Sequence, residues 1–126
     1  MRQKKCIRVF ADKEQIKNCR NEVKHAKDHI GQLSGMFSLA GSEVRLSILY
    51  LLYQEEELCV CDLSDILNMQ VPAIAQHLRK MKDGGIVQKN RVGAIVYYSL
   101  QPECSSSLKT FFHLINNKVA SKIKAA

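Results

Sequence analysis

The sequence predicts a mainly α fold of four helices, a β-hairpin wing and a C-terminal helix: a winged helix-turn-helix, assembled as a homodimer. Three observations carry this expectation. Apolar residues recur every three or four positions through five separate segments, the period of a helix that buries one stripe. Two of those segments are short and separated by only a few residues around Asn68 and Pro72, the pattern of a helix-turn-helix. Directly after them, Ile86 to Arg91 and Ile95 to Leu100 are rich in β-branched and aromatic residues and are split by a loop holding Gly93, which reads as a hairpin.

In chain order, Ile16, Cys19, Val23, Ala26, Ile30 and Leu33 predict a first helix from about Glu14 to Ser34, with Gly35 and Gly41 as punctuation. Cys19 falls on its apolar stripe and reads as a core residue. Ser42 is placed to cap a second helix carrying Val44, Ile48, Leu49, Leu51 and Leu52. After the acidic link Gln54 to Glu57, a short helix from Asp62 to Leu67 turns Leu63, Ile66 and Leu67 inward. It stops at Asn68, a residue that tolerates the left-handed conformation. Pro72 suits the first turn of the next helix, where its missing N–H costs nothing, and Gly84-Gly85 ends it. Finally Leu108, Phe111, Phe112, Ile115 and Val119 give a C-terminal helix whose wide apolar stripe needs a partner. The first and last helices are expected to pack against a second copy, since a chain of 126 residues buries only about two-thirds of its unfolded surface alone.

Residues 1–13 read as a flexible N-terminal arm and residues 14–126 as one DNA-binding and dimerisation domain. No apolar run approaches the roughly 20 residues of a membrane helix, and the start of the chain leads into polar sequence, so a cytoplasmic protein with no membrane partner is expected. The formal charge of +7 is segregated: residues 31–78 carry one basic and six acidic groups, whereas residues 79–91 carry five basic and one acidic. A concentrated basic segment suits a polyanion, because neutralising phosphates releases condensed counterions. It equally suits a solvated basic surface.

The helix from Pro72 to Gly84 is therefore read as the one that enters the major groove of double-stranded DNA. With Ile74, Leu78 and Met81 inward, its outer face presents Ala73, Gln76 and Lys80, with Gln70 and His77 to the sides. Gln76 suits bidentate pairing with adenine and Ala73 a thymine methyl. Arg79, Lys80 and Lys82 suit phosphates, which position without reading sequence. His77 is kept in this set although a histidine here is more often a helix-packing residue than a base reader. Lys89 and Arg91, flanking Asn90, sit where a wing tip reaches the flanking backbone.

Five cysteines are an odd number for a disulfide framework, and two of them stand as Cys59-Val60-Cys61. The stretch from about Met36 to Leu100 resembles the ArsR/SmtB family of winged-helix metal-responsive repressors. The motifs that carry the resemblance are Glu57-Leu58-Cys59-Val60-Cys61-Asp62-Leu63, Gln76-His77-Leu78-Arg79, Gly85-Ile86-Val87 and Tyr97-Tyr98-Ser99-Leu100. The resemblance implies a homodimer that holds operator DNA when metal-free and lets go when metal binds. Thiolates select soft ions, and two of them under-coordinate any but linear Hg(II). In the cadmium and lead branch of the family a third thiolate comes from an N-terminal arm, which here offers Cys6. The expected effector site is Cys59, Cys61 and Cys6, the last from the second protomer, for Cd, Pb, Hg or an As(III)-type ion, with no organic cofactor. Ser64 stands where arsenite sensors often carry a further cysteine, and Phe10 where the cadmium branch has a second arm cysteine. Pro102, Cys104 and Ile115 occupy positions of the family's zinc site, which is lost, and Cys104 reads as a near-surface thiol. A thiol-redox or persulfide sensor of the same fold is the alternative. No nucleophile triad, phosphate loop or carboxylate pair suggests an enzyme.

Overall fold

The computed structural model describes residues 6–116, in the order α1 (Lys13–Ala40), α2 (Glu43–Glu55), β1 (Glu57–Cys59), α3 (Val60–Leu67), α4 (Val71–Asp83), β2 (Val87–Val92), β3 (Ile95–Leu100) and α5 (Pro102–Asn116). The chain divides into two units at Ser34 and Gly35, so α1 begins in one and ends in the other. Among the described residues no single helix is long and apolar enough to cross a membrane. Val119, expected on the last helical stripe, lies outside the described residues.

The second unit holds the core. Ile48, Leu49 and Leu52 of α2, Leu63 of α3, and Ile74, Leu78 and Met81 of α4 meet Ile86, Val87, Leu100, Leu108 and Phe112, nearly all of them sealed from solvent. Helical periodicity selects the positions on α2, α3, α4 and α5, and burial of each large side chain contributes about 1.5–3 kcal/mol. Phe112 anchors α5 on α2, with its ring 4.8 Å from that of Tyr53 and 6.0 Å from that of Tyr50. Phe37 and Phe111 pack edge to face at 5.7 Å, yet both rings stay largely exposed.

The expected capping holds. The Ser42 hydroxyl accepts from Arg45 N–H, and Asn68 takes the left-handed conformation with φ 54° and ψ 51°. Pro72 stands in the first turn of α4, and its N-cap is Gln70.

Four expectations are corrected. The first helix does not stop at Ser34 but runs through Gly35 to Ala40. A mid-helix glycine costs about 1 kcal/mol, and packing of Met36, Leu39 and Ala40 on the core offsets it. Cys19 is exposed, as is the stripe around it: Val23, Ile30 and Leu33 are 61%, 50% and 45% accessible. The third helix starts at Val60, two residues early, and the acidic link before it ends in a strand: Glu57, Leu58 and Cys59 pair antiparallel with Ser99, Tyr98 and Tyr97. The wing is thus a three-stranded sheet in the order β1-β3-β2. Ile66 is 51% exposed because the eight-residue α3 buries the row through Leu63 and turns Ile66 off it. Between α2 and β1 the chain turns at Glu56, a non-glycine residue with φ 71° and ψ −54°.

Candidate nucleic-acid interface and thiolate site

The turn that sets α4 against α3 is closed by its own polar groups. Asn68 and Met69 N–H both donate to the carbonyl of Ser64, and the Ser64 hydroxyl donates to the carbonyl of Met69 at 2.5 Å. Gln70 caps α4 with extended backbone, and its side chain makes no cap bond. The inward row of α4, Ile74, Leu78 and Met81, is fully buried. That fixes the rotation of the helix and presents Gln76, Arg79, Lys80 and Lys82, with Gln70 at its start, to solvent, while Ala73 and His77 are half-buried. A polar, basic outer face over a sealed inner row suits a helix that enters a groove such as the major groove of B-DNA, about 12 Å wide.

His77 differs from the rest of the sequence-predicted set. Its Nδ1 accepts a hydrogen bond from Arg45 Nε at 3.1 Å, a partner on α2 that nothing in the sequence marks. Burial first, and then the neighbouring charges of Arg45 and Lys80, hold its pKa below the ordinary value. The wing continues the basic surface. Lys89 and Arg91 of β2 are exposed, paired across the ladder with Tyr98 and Val96, and Gly93 at φ 64° makes the turn beyond them.

Cys59 and Cys61 lie together at the start of α3. Cys59 is the N-cap, half-buried, and Cys61 is exposed in the first turn. The backbone N–H of Cys59 donates to Asp62 Oδ2 at 3.2 Å, and the Cys59 side chain faces the N–H of Asp62, a capping box with a thiol in place of a hydroxyl. Asp62 is a residue the sequence reading overlooked, although the three-residue spacing was its signal. Two soft sulfur donors two residues apart at the start of one helix suit the ligation of a soft metal ion. Cys6 is exposed in the first unit. Among the described residues of one chain no three His, Cys, Asp or Glu side chains converge for a metal ion.

Cys104 is buried rather than near the surface. Its Sγ donates to the carbonyl of Gly85 at 3.5 Å, and burial, with Glu103 beside it, raises its pKa and leaves it a protonated, poorly ligating thiol.

Residues 42–89 match the family model described as bacterial regulatory protein, arsR family. The cadmium resistance transcriptional regulatory protein CadC of Listeria innocua is 38% identical over 69 residues, 55% of this chain and 58% of that one. The CadC homolog of Staphylococcus aureus is 30% identical over 110 residues, 86% of this chain and 89% of that one. The chain therefore aligns with little more than half the length of the Listeria protein and with most of the staphylococcal one. Among solved structures, the transcriptional regulator HlyU from Vibrio vulnificus superposes with a TM-score of 0.66 at 26% identity, covering 74% of this chain and 97% of that one.

Proposed function

Because the chain belongs to the arsR family of bacterial regulatory proteins, we propose that it is a homodimeric, metal-responsive repressor that holds operator DNA when metal-free and releases it when a soft ion binds thiolates. The observation that carries the metal reading is the position of Cys59 and Cys61 at the start of α3, the helix directly before the groove-facing α4. Relatives named for cadmium and arsenical resistance support the ion class.

The donor set fits. Cys59 and Cys61 supply two soft ligands at a helix N-terminus, and Cys6 of the second protomer supplies the third. A trithiolate without imidazole suits Cd, Pb, Hg and As(III)-type ions better than zinc, which takes four ligands in structural sites. Held by these sulfurs, a soft ion would link the two protomers: Cys6 and its arm would be tied to α3 of the other subunit, and the two α4 helices would be biased away from the spacing of adjacent half-sites, about 34–36 Å. The exposed stripes of α1 and α5, with Val23, Ile30, Leu33, Phe111 and Ile115, supply the dimer surface. Gln70, Ala73 and Gln76 meet base edges, and Arg79, Lys80, Lys82, Lys89 and Arg91 meet phosphates.

Fluorescence anisotropy of the reduced protein on a labelled duplex from upstream of its own gene tests this. Cd(II), Pb(II), Hg(II) or As(III) is expected to release the DNA with Zn(II) weak, and Cys59→Ser and Cys61→Ser to bind DNA but ignore the ions. Bound DNA that no ion releases overturns the metal reading. Release by oxidant or persulfide alone moves the assignment to the thiol-redox alternative.

A further inference from the structure

Arg45, in the first turn of α2, ties three elements together. Its backbone N–H donates to the Ser42 hydroxyl at 3.3 Å, so the cap fixes the residue that carries the guanidinium. Nε then donates to His77 Nδ1 on α4 at 3.1 Å, and Nη1 to the carbonyl of Leu39 in the last turn of α1 at 3.4 Å. Leu39 also meets α4 at its far end: a Cβ added to Gly84 would fall 2.0 Å from Leu39 Cδ1, so the leucine lies directly against the helix cap. The groove-facing helix is held to the α1–α2 corner at two points, one polar at its middle and one apolar at its end. Among the described residues, the Arg45–His77 bond is the one side-chain hydrogen bond α4 makes to another element.

We propose that Arg45 is a positioning residue for DNA recognition, acting through neutral His77 to set the pitch of α4 against the groove. The proposal rests on α4 being the DNA-reading helix. Nδ1 accepts only while its lone pair is free, which requires the proton on Nε2. A second proton places N–H against the guanidinium N–H, and the bond is lost. The charged groups facing the imidazole are Arg45 from α2 and Lys80 from α4, both cationic, and from α1 the guanidinium is shared with the Leu39 carbonyl. The clamped imidazole therefore binds its proton less readily than a free one. Clamping is complete above the ordinary histidine value of 6.5 and is lost as the pH falls below it. A histidine that contacted phosphate directly would do the reverse, since protonation would tighten the complex.

The test is anisotropy on the same upstream duplex at constant ionic strength, from about pH 5.5 to 8, with wild type, His77→Asn, His77→Phe and Arg45→Met. Asparagine places an acceptor oxygen near the position of Nδ1 and does not titrate. Wild type is expected to lose affinity about fivefold or more on acidification, relative to His77→Asn, which matches wild type at pH 8. His77→Phe and Arg45→Met are expected to bind about tenfold more weakly at pH 8, in line with loss of one charge-assisted bond, with helical circular dichroism unchanged. The other three histidines are common to every variant, so the difference between wild type and His77→Asn isolates His77. Wild-type affinity that rises on acidification relative to His77→Asn, or His77→Phe binding as tightly as His77→Asn, overturns the proposal. If His77→Phe fails to fold, the His77→Asn profile and Arg45→Met decide. Wild type that binds no duplex overturns instead the DNA-binding reading beneath it.

Discussion

Replacing a proposed metal ligand usually leaves a protein no more stable than before, but Cys59→Ser is expected to stabilise this one. Cys59 occupies the N-cap of α3 in extended backbone, φ −90° and ψ 170°, with Asp62 already bonded to its N–H. A thiol is a weak acceptor for the facing N–H of Asp62, whereas a serine hydroxyl is among the preferred caps. Completing a cap is worth about 1 kcal/mol. Cys59 is only half-buried, so exchanging sulfur for oxygen returns a few tenths of that through lost apolar contact. A net gain of about 0.5–1 kcal/mol corresponds to roughly 2–4 °C in Tm for a chain of this size. The assay is thermal denaturation by circular dichroism, under reductant and chelator and at one protein concentration, because the Tm of a homodimer, the proposed state, depends on concentration. Cys61→Ser is the control: Cys61 is exposed and not the cap, so its stability is expected to stay within the ±0.5 kcal/mol usual for surface changes. A Cys59→Ser protein that melts lower than wild type, with Cys61→Ser unchanged, refutes the capping account and makes the thiol a packing group.

Three further outcomes are expected. Leu78→Ala, at a fully buried position of α4, should cost about 2–5 kcal/mol, read as a lower urea midpoint with unchanged m-value. Glu56→Gly should stabilise by about 0.5–1 kcal/mol in the same assay, because relief of a strained positive φ exceeds the added freedom of the unfolded chain. Lys80→Gln should weaken binding to all duplexes alike and lower the slope of log affinity against log salt by about 1, whereas loss confined to one base position would make Lys80 a reader of sequence.

Much of the fold is legible where local chemistry repeats. Ile74, Leu78 and Met81 are spaced for one helix face and all three are sealed, and Ser42 starts α2 and Asn68 ends α3 by side-chain and backbone preferences that act within a few residues. The strand at Glu57 to Cys59 is not legible, because three residues preceded by glutamates give no alternation to detect. Gly35 misleads for the opposite reason, since a weak local preference yields to distant packing. For the site, the two thiols are adjacent in sequence and so visible together. Arg45 and His77 lie 32 residues apart and share no period, so only the folded chain brings them into register.

The short strand before α3 has a consequence for how such proteins diversify. Cys59 sits opposite Tyr97, and Tyr97 sits opposite Asn90 on the far strand of the wing, so one rung of the ladder runs from the first cysteine of the box to the outer strand. Side chains on such a rung share a face and pack as neighbours. A cysteine box transplanted alone into another winged helix would meet the wrong cross-strand residues. The box and the third strand therefore pack as one unit, and chimeras that exchange the two together should keep the order of the sheet where grafts of the box alone do not.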